Sequence, residues 1–204
     1  MDLYEIEKKL REDGISPVCG VDEAGRGPLA GPVCAAAVIL PPGLEISGLN
    51  DSKKLSPKKR DELYDIIISK AVCYGIAFAE VAEIEKHNIL GATFIAMNRA
   101  IAKLSTKPLM ALIDGNQNKG IEFENLCFVG GDGKCAAIAA ASVLAKVTRD
   151  RFMLEMDAKY PQYGFAKHKG YGTREHREAL LEFGPCEIHR PSFLGKILGG
   201  KGDG

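Results

Sequence analysis

The sequence lacks several features that would place it in a specialised class of protein. Its six cysteines form no Cys-x-x-Cys pair, and the closest two, Cys127 and Cys135, are eight positions apart. This spacing argues against a zinc ribbon or a thioredoxin-like redox pair, so buried free thiols are expected. The longest apolar runs, such as residues 35–40 and 136–141, are far shorter than the roughly 20 residues that a membrane-spanning helix needs.

The chain also lacks a net charge, because 27 basic residues balance 27 acidic ones among 204 residues. This balance argues weakly against a protein that binds nucleic acid through bulk electrostatics. The first residues carry neither a basic nor an apolar segment of the kind that directs secretion, so a cytoplasmic protein is expected. With 46% hydrophobic residues, the chain is long enough to bury a core, most simply as one domain.

Hydrophobic periodicity predicts that strands and helices alternate along the middle of the chain. Strands are predicted at residues 17–22, 32–40, 72–81, 109–113 and 126–129, the first two as a pair. Helices are predicted at residues 2–13, 57–70, 89–104, 134–160 and 173–183, with Ser56 as the cap of the second. This order predicts an α/β fold in which helices cover a central sheet.

Four acidic residues lie at the ends of predicted strands. Asp22 and Glu23 end an apolar strand, Asp114 ends a buried one, and Asp132 lies between a short strand and a long helix. Active sites of open α/β sheets gather at strand ends, so these side chains are expected to meet. Because adjacent strand residues point to opposite faces, convergence of Asp22 and Glu23 requires their strand to end or bulge there.

An all-oxygen set of side chains favours magnesium or manganese over zinc. Two such ions at one site are typical of phosphodiester hydrolysis, in which one activates water and the other stabilises the leaving oxygen. For each acid taken alone, a turn or a favourable interaction with a helix dipole is the alternative interpretation. The combination of four acids is what favours a metal site.

The stretch at residues 20–33, Gly-Val-Asp-Glu-Ala-Gly-Arg-Gly-Pro-Leu-Ala-Gly-Pro-Val, resembles the opening signature of the ribonuclease HII family. Further matches follow in order at residues 51–56, 113–115, 131–132, 139–150, 163–165, 169–173 and 189–193. The resemblance covers about residues 15–193. It implies a ribonuclease H-like fold, with a mixed central sheet flanked by helices and a helical C-terminal extension.

The resemblance also implies an organisation and an activity. The catalytic domain would span residues 1–160, a substrate-contacting extension residues 161–195, and a flexible tail residues 196–204. The implied enzyme is an endonuclease that cuts the RNA strand of RNA/DNA hybrids. It would also nick duplex DNA on the 5′ side of an embedded ribonucleotide, leaving a 3′-hydroxyl and a 5′-phosphate, with two Mn²⁺ or Mg²⁺ ions per active site. A monomer is expected, and residues 188–198 are a candidate docking segment for a partner such as a polymerase clamp.

Site residues carry over from the family motifs position by position. The four metal-binding acids correspond to Asp22, Glu23, Asp114 and Asp132, the Gly-Arg-Gly element to Gly25, Arg26 and Gly27, and the junction-sensing tyrosine to Tyr171. Candidate phosphate contacts are Lys53, Ser142, Lys146, Arg190 and Ser192. A single ribose differs from deoxyribose only by its 2′-hydroxyl, which glycine backbone could approach closely. For Arg26, bridging of loop carbonyls is the alternative to phosphate binding.

Two basic runs, at residues 51–60 and 165–177, fit a polyanionic substrate. Tyr163, Phe165 and Tyr171 lie within or beside the second run and favour nucleic-acid contact over a merely solvated surface. Among the histidines, His87, His168 and His176 are predicted to lie at the surface, and His189 to orient the C-terminal loop.

Two other functions remain as alternatives. A catalytically silent nucleic-acid-binding module on the same fold would be expected to lack one of the four acids, and all four are present. A metal-dependent phosphatase for small molecules would need neither Tyr171 nor two separate basic runs. The sequence therefore favours the endonuclease.

Overall fold

The structure is a computed structural model that describes residues 2–199. Its strands are β1 Val18–Ala24, β2 Val33–Ile39, β3 Cys73–Ala79, β4 Met110–Asp114 and β5 Asn125–Phe128. They form one mixed sheet in the order β3-β2-β1-β4-β5. The first three strands pair antiparallel, whereas β1, β4 and β5 are parallel. The predicted pairing of the first two strands is confirmed.

Helices cover both faces of this sheet, as the α/β prediction requires. They are α1 Glu5–Glu12, α2 Pro57–Lys70, α3 Val81–Ala102, α4 Ala136–Lys159, α5 Phe165–His168, α6 Arg174–Phe183 and α7 Pro191–Leu194. The predicted start of α2 is confirmed, because the Ser56 hydroxyl accepts a hydrogen bond from the Lys59 amide. No helix among residues 2–199 is long and apolar enough to cross a membrane.

Strand β2 is buried along its whole length and separates two layers of the core. Ala35 and Ala37 pack on the side of α3, whereas Ala36 and Val38 pack on the side of α4. Small residues let the helices approach closely: a Cβ atom at Gly20 in β1 would lie 2.0 Å from the backbone of α4. The Ala-rich helix α4 therefore runs directly against the strand that carries Asp22 and Glu23.

Helix α3 differs from its prediction because it begins at Val81 rather than at Ile89. It is broken at Asn88, whose φ is 57° and ψ is 173°. The Asn88 side chain accepts hydrogen bonds from the Leu90 and Gly91 amides, so it caps the second part of the helix. The periodicity therefore identified only the part that follows this cap.

The C-terminal residues form a smaller core against the second half of α4. Tyr163 and Phe165 are buried there together with Met153, Leu180 and residues of the loop between β1 and β2. Their rings have packing partners in this core, so of the three aromatic residues in or beside the second basic run, Tyr171 alone is exposed. The predicted flexible tail includes residues 200–204, which lie outside the described residues.

Candidate active site

The carboxylates at the end of β1 lie on a regular strand. Asp22 and Glu23 pair with Ala36 and Ala35 of β2, and the strand continues to Ala24. The strand therefore continues one residue beyond Glu23 without a bulge, so Asp22 and Glu23 start from opposite faces of the sheet.

Asp22 and Glu23 lie near the end of β4 because the pairing of β1 with β4 stops just before these two acids. The last pair joins Val21 to Ile113, so Asp22 and Asp114 follow at the same level in parallel strands. From this point the chain turns outward in opposite directions, from β1 to β2 and from β4 to β5. Such a reversal of strand order is where open α/β sheets form their active sites.

Asp22 is buried on the α4 side of the sheet, with 3% of its surface exposed. Burial and the neighbouring carboxylates of Glu23 and Asp114 raise the pKa of Asp22 well above its usual range, against a hydrogen bond from the Ser142 hydroxyl. Ser142 is itself buried and lies 2.7 Å from the hydroxyl of Ser52. The predicted phosphate contact of Ser142 is therefore corrected: this serine supports Asp22 from within the core.

Glu23 and Asp114 have different partners. Arg26 pairs with Glu23 at 3.3 Å across the turn that follows β1. Burial raises the pKa of Glu23, the positive charge of Arg26 lowers it, and Asp114 raises it further. Asp114 accepts a hydrogen bond of 2.7 Å from the amide of Gly131, which fixes the loop that carries Asp132.

Asp132 presents a buried carboxylate oxygen that lacks a hydrogen-bond partner. This atom, Oδ2, faces the ammonium group of Lys53 at 3.6 Å. Burial and then the charges of Asp114 and Asp51 raise the pKa of Asp132, whereas Lys53 lowers it. A buried, unsatisfied carboxylate is costly, so this arrangement favours the presence of a cation.

As the side chains stand, no three Asp, Glu, His or Cys residues within the described chain are close enough together to hold a metal ion. The chemistry of the four acids nevertheless fits a divalent cation. All their donors are oxygen atoms, three of the four acids have a raised pKa, and Asp132 has an unpartnered oxygen. A cation would stabilise the charged carboxylates against the burial, and then the mutual repulsion, that raise these pKa values.

The Gly-Arg-Gly loop owes its shape to Arg190, which is completely buried. Its guanidinium donates hydrogen bonds to the carbonyl oxygens of Gly25, Arg26, Pro28 and Gly31, at 2.6–3.0 Å. These contacts use all five of its N–H donors. The predicted phosphate contact of Arg190 is therefore wrong; this residue, rather than Arg26, bridges the loop carbonyls.

A second buried arginine, Arg149, was not identified from the sequence. It donates to the carbonyl oxygens of Ala30, Pro32 and Lys169, at 3.0–3.1 Å. Gly25 has a φ of 100°, and a Cβ atom there would lie 2.1 Å from Arg149 Nε. The only sequence signal for Arg149 was its place inside the motif at residues 139–150.

Tyr171 lies beside this loop and is 45% exposed. A Cβ atom at Gly27 would lie 3.7 Å from Cε1 of the Tyr171 ring. Residues predicted to sense the ribose and its junction are therefore neighbours, although 144 positions separate them in the sequence.

A groove of about 630 Å³ begins at Tyr171 and runs between α2 and α4. Its wall carries five basic residues against two acidic ones, namely Arg60, Lys146, Arg151, Lys167 and Lys169 against Asp61 and Asp150. Lys146 is half-buried and pairs with Asp150 at 2.6 Å. Of the remaining predicted phosphate contacts, Lys53 is exposed, whereas Ser192 is bound through its hydroxyl to Glu85 at 2.8 Å.

The same fold occurs in a solved nuclease. Over 89% of its length, the chain superposes on 97% of the ribonuclease H2 from Pyrococcus horikoshii OT3, with a TM-score of 0.71 and 26% sequence identity. Together with the carboxylates at the strand ends, this fold defines a nuclease of the ribonuclease H class.

Sequence comparisons identify the family. The ribonuclease HII family model matches residues 19–196. The chain is 51% identical to ribonuclease HII of Caldicellulosiruptor bescii, covering 97% of this chain and 96% of the relative. It is 53% identical to that of Moorella thermoacetica, covering 94% and 93%. The chain belongs to the ribonuclease HII family and is thus a hydrolase with ribonuclease H endonuclease activity.

Proposed function

We propose that this enzyme cuts the RNA strand of RNA/DNA hybrids and nicks duplex DNA on the 5′ side of a single embedded ribonucleotide. The products carry a 3′-hydroxyl and a 5′-phosphate. Asp22, Glu23, Asp114 and Asp132 hold two divalent ions, Mn²⁺ or Mg²⁺, during the reaction.

The observation that carries this proposal is the position of Tyr171 over Gly27, beside the loop that leads from the acids of β1. A nuclease for ordinary RNA would not require an aromatic ring next to a glycine-rich loop. The backbone of Gly27 is accessible to a substrate next to the Tyr171 ring, because a Cβ atom at Gly27 would have no contact other than Tyr171 within 4 Å. This arrangement suits a ribose whose 2′-hydroxyl meets backbone groups while the ring packs on the neighbouring sugar or base.

When bound by these four acids, divalent ions would supply Lewis-acid stabilisation of the phosphodiester and would lower the pKa of the attacking water. The protein holds the four acids at one end of the sheet. The Ser142 hydroxyl donates a hydrogen bond to Asp22, and the Gly131 amide orients Asp114. Lys53, whose side chain is largely exposed, balances Asp132 and can move towards a phosphate.

The basic groove explains how a chain without net charge binds nucleic acid. Four of the 27 acidic residues belong to the candidate site, and setting those four aside leaves 23 acidic against 27 basic residues. Lys146, Lys167 and Lys169 line the groove that begins at Tyr171. They are placed to contact the phosphate backbone of a duplex whose ribonucleotide lies at the Gly-Arg-Gly loop.

The test compares wild-type protein with Asp114→Asn on a labelled duplex that contains one ribonucleotide. Wild type should cut this duplex and leave a matched all-DNA duplex intact. Asp114→Asn should bind the duplex with nearly unchanged affinity and cut it at least about a thousandfold more slowly, because a site ligand is lost. Undiminished cleavage by the variant would remove Asp114 from the site.

The same experiment judges the alternative of a catalytically silent nucleic-acid-binding module on this fold. Such a module would bind the duplex with wild-type and variant protein alike and cleave it with neither. The presence of all four acids, with three of their pKa values raised by burial among like charges, supports the enzyme.

A further inference from the structure

Three buried histidines form one cluster behind the turn that carries Tyr171. His176 and His189 are 0% and 2% exposed, and His168 is 7% exposed. The rings of His168 and His176 are stacked, with centroids 4.4 Å apart and planes inclined by 13°. The prediction that His168 and His176 lie at the surface is therefore wrong. His168 forms part of the wall of the basic groove, whereas His176 and His189 have no part in the site described above.

The backbone fixes the direction of every hydrogen bond in a chain through this cluster. Nδ1 of His189 lies 2.9 Å from the amide of Cys186, which can only donate, so this nitrogen accepts. A neutral His189 then carries its proton on Nε2, 3.0 Å from Nε2 of His176. His176 accepts there and carries its own proton on Nδ1, which donates to the carbonyl oxygen of Tyr171 at 2.9 Å.

His168 is fixed in the same way at the side of this chain. Its Nδ1 accepts from the Gly170 amide at 3.2 Å, so Nε2 carries the proton and donates to the carbonyl of Tyr163 at 2.7 Å. Its ring covers one face of His176. The stacked ring keeps water from His176 and holds it in the plane that points to Tyr171.

The turn before Tyr171 has an unusual backbone. Lys169 and Gly170 have φ values of 51° and 84°, both in the left-handed region. For Lys169 this conformation is unfavourable and persists only where surrounding contacts hold it. The Tyr171 carbonyl accepts from the Thr173 amide at 2.8 Å as well as from His176, so two donors fix its peptide.

We propose that His176, oriented by His189, is a positioning residue that holds Tyr171 over Gly27 and so sets the preference for a single embedded ribonucleotide. The part that concerns substrate preference rests on the proposed function, because it requires an enzyme that cuts at a single embedded ribonucleotide. The orientation of the ring itself can be tested without any substrate. The hydrogen bonds from Tyr171 through His176 end at His189, which is next to Arg190 in the sequence. One C-terminal segment therefore shapes both the Gly-Arg-Gly loop and the turn that carries Tyr171.

The first test measures which ring nitrogen of each histidine carries the proton. Protein labelled with ¹⁵N-histidine is examined by long-range ¹H–¹⁵N correlation at pH 7.5. The proposal requires the Nδ1–H form for His176 and the Nε2–H form for His168 and His189. Exposed His87 serves as an internal reference. An Nε2–H form of His176, or averaging of both forms there, would overturn the proposal.

The second test uses two amide substitutions that place their nitrogen differently. The amide of His176→Asn reaches the position of Nδ1 and can still donate to the Tyr171 carbonyl. The longer His176→Gln reaches the position of Nε2 instead and leaves that carbonyl without this donor. The nuclear Overhauser contact between the Tyr171 ring and the Gly27 Hα protons should persist in His176→Asn and weaken in His176→Gln. Equal contacts in the two variants, whether kept or lost, would contradict a positioning role.

The third readout is the ratio of kcat/KM on the single-ribonucleotide duplex to kcat/KM on an RNA/DNA hybrid. His176→Gln should lower this ratio by roughly fivefold, the factor that corresponds to one hydrogen bond, and His176→Asn should stay within about twofold of wild type. In a Tyr171→Ala background His176→Gln should change the ratio no further, because both act through one ring.

Equal losses on both substrates would reduce His176 to a structural role. A wild-type protein that cuts neither substrate would instead contradict the proposed function. The tautomers and the Overhauser contact would then still decide whether His176 positions Tyr171.

Discussion

The ring of Tyr171 lies over Gly27, so close that a single added methyl group would touch it at 3.7 Å. The two residues come from opposite ends of the chain and meet because buried arginines and histidines hold the loops that carry them. The exposed surface that they share is where the 2′-hydroxyl would meet the loop backbone while the ring packs on the neighbouring sugar or base. The shape of this surface, rather than the acids alone, should decide which nucleotide is cut.

Gly27→Ala should therefore impair activity without impairing folding. The φ of Gly27 is outside the left-handed region, so alanine is compatible with the backbone, and the change in stability should stay within about 0.5 kcal/mol. The methyl group narrows the space next to the Tyr171 ring and should lower kcat/KM on the single-ribonucleotide duplex by at least about tenfold.

Gly25→Ala is the matched control in the same loop. Its φ of 100° and the proximity of Arg149 make alanine strained there, so the cost should be about 2 kcal/mol or more, measured by urea denaturation. If Gly27→Ala retained full activity, or if both variants were equally stable, the assigned roles of the two glycines would be wrong.

Tyr171→Ala should weaken cutting at a single ribonucleotide more than cutting of a continuous RNA strand. Loss of one stacked ring corresponds to roughly a tenfold effect or more, and it should fall mainly on the substrate that has only one ribose to recognise. Tyr171→Phe, which keeps the ring, should retain most of the preference. Equal losses on both substrates in Tyr171→Ala would refute a junction-sensing role.

Arg190→Lys should destabilise the protein although the charge is retained. Lysine has three donors in place of five, so buried carbonyl oxygens of the Gly-Arg-Gly loop lose their partners, at a cost of about 2–4 kcal/mol. Arg26→Lys is the control, because Arg26 is exposed and should change stability by no more than about 0.5 kcal/mol. Denaturation midpoints that shift alike in both variants would contradict the assignment of Arg190 as the organiser of the loop.

Stability should fall in mild acid because of the buried histidines. Burial lowers the pKa of His176 and of His189 from 6.5 to about 4, with a further lowering from the neighbouring imidazoles. Between about pH 4 and pH 6.5, His176 and His189 are therefore protonated in the unfolded chain and neutral in the folded protein. The free energy of unfolding should therefore decrease as the pH falls below about 6.5, by up to about 1.4 kcal/mol per pH unit for each histidine.

His176→Asn isolates this effect, because it removes one of the titrating rings and leaves the carboxylates of the site unchanged. Because the pKa values of these carboxylates are raised, their contribution to stability increases as the pH falls. This contribution is the same in wild type and variant, so it cancels when the two are compared at pH 7.5 and pH 5.5. The variant should show the smaller decrease in stability. Identical decreases would mean that His176 is not excluded from protonation in the folded state.

The predictions that succeeded depended on local signals. Ser56 before Pro57 predicts the start of a helix, and the apolar run that ends at Asp114 predicts a buried strand. Both signals are local, because helix capping and strand burial each leave a short pattern in the sequence. The structure places Asp22 and Glu23 in the last residues of β1, Asp114 at the end of β4, and Asp132 in the turn between β5 and α4.

The predictions that failed concerned polar residues that the fold buries. Arginine and histidine are usually found at a protein surface, and only the fold shows that carbonyl groups from up to 165 positions away satisfy Arg190. Asp22 and Glu23 likewise reach the level of Asp114 without a bulge, because the end of pairing between β1 and β4 is a property of the sheet and not of either strand.

The position of the cut in a duplex with one embedded ribonucleotide tests the central claim most directly. Wild-type protein is incubated with Mn²⁺ and a 5′-labelled duplex, and the product is compared with synthetic markers on a sequencing gel. One cut is expected on the 5′ side of the ribonucleotide, with a 3′-hydroxyl on the labelled fragment. A cut on the 3′ side, or an intact duplex under conditions in which an RNA/DNA hybrid is cleaved, would contradict this claim.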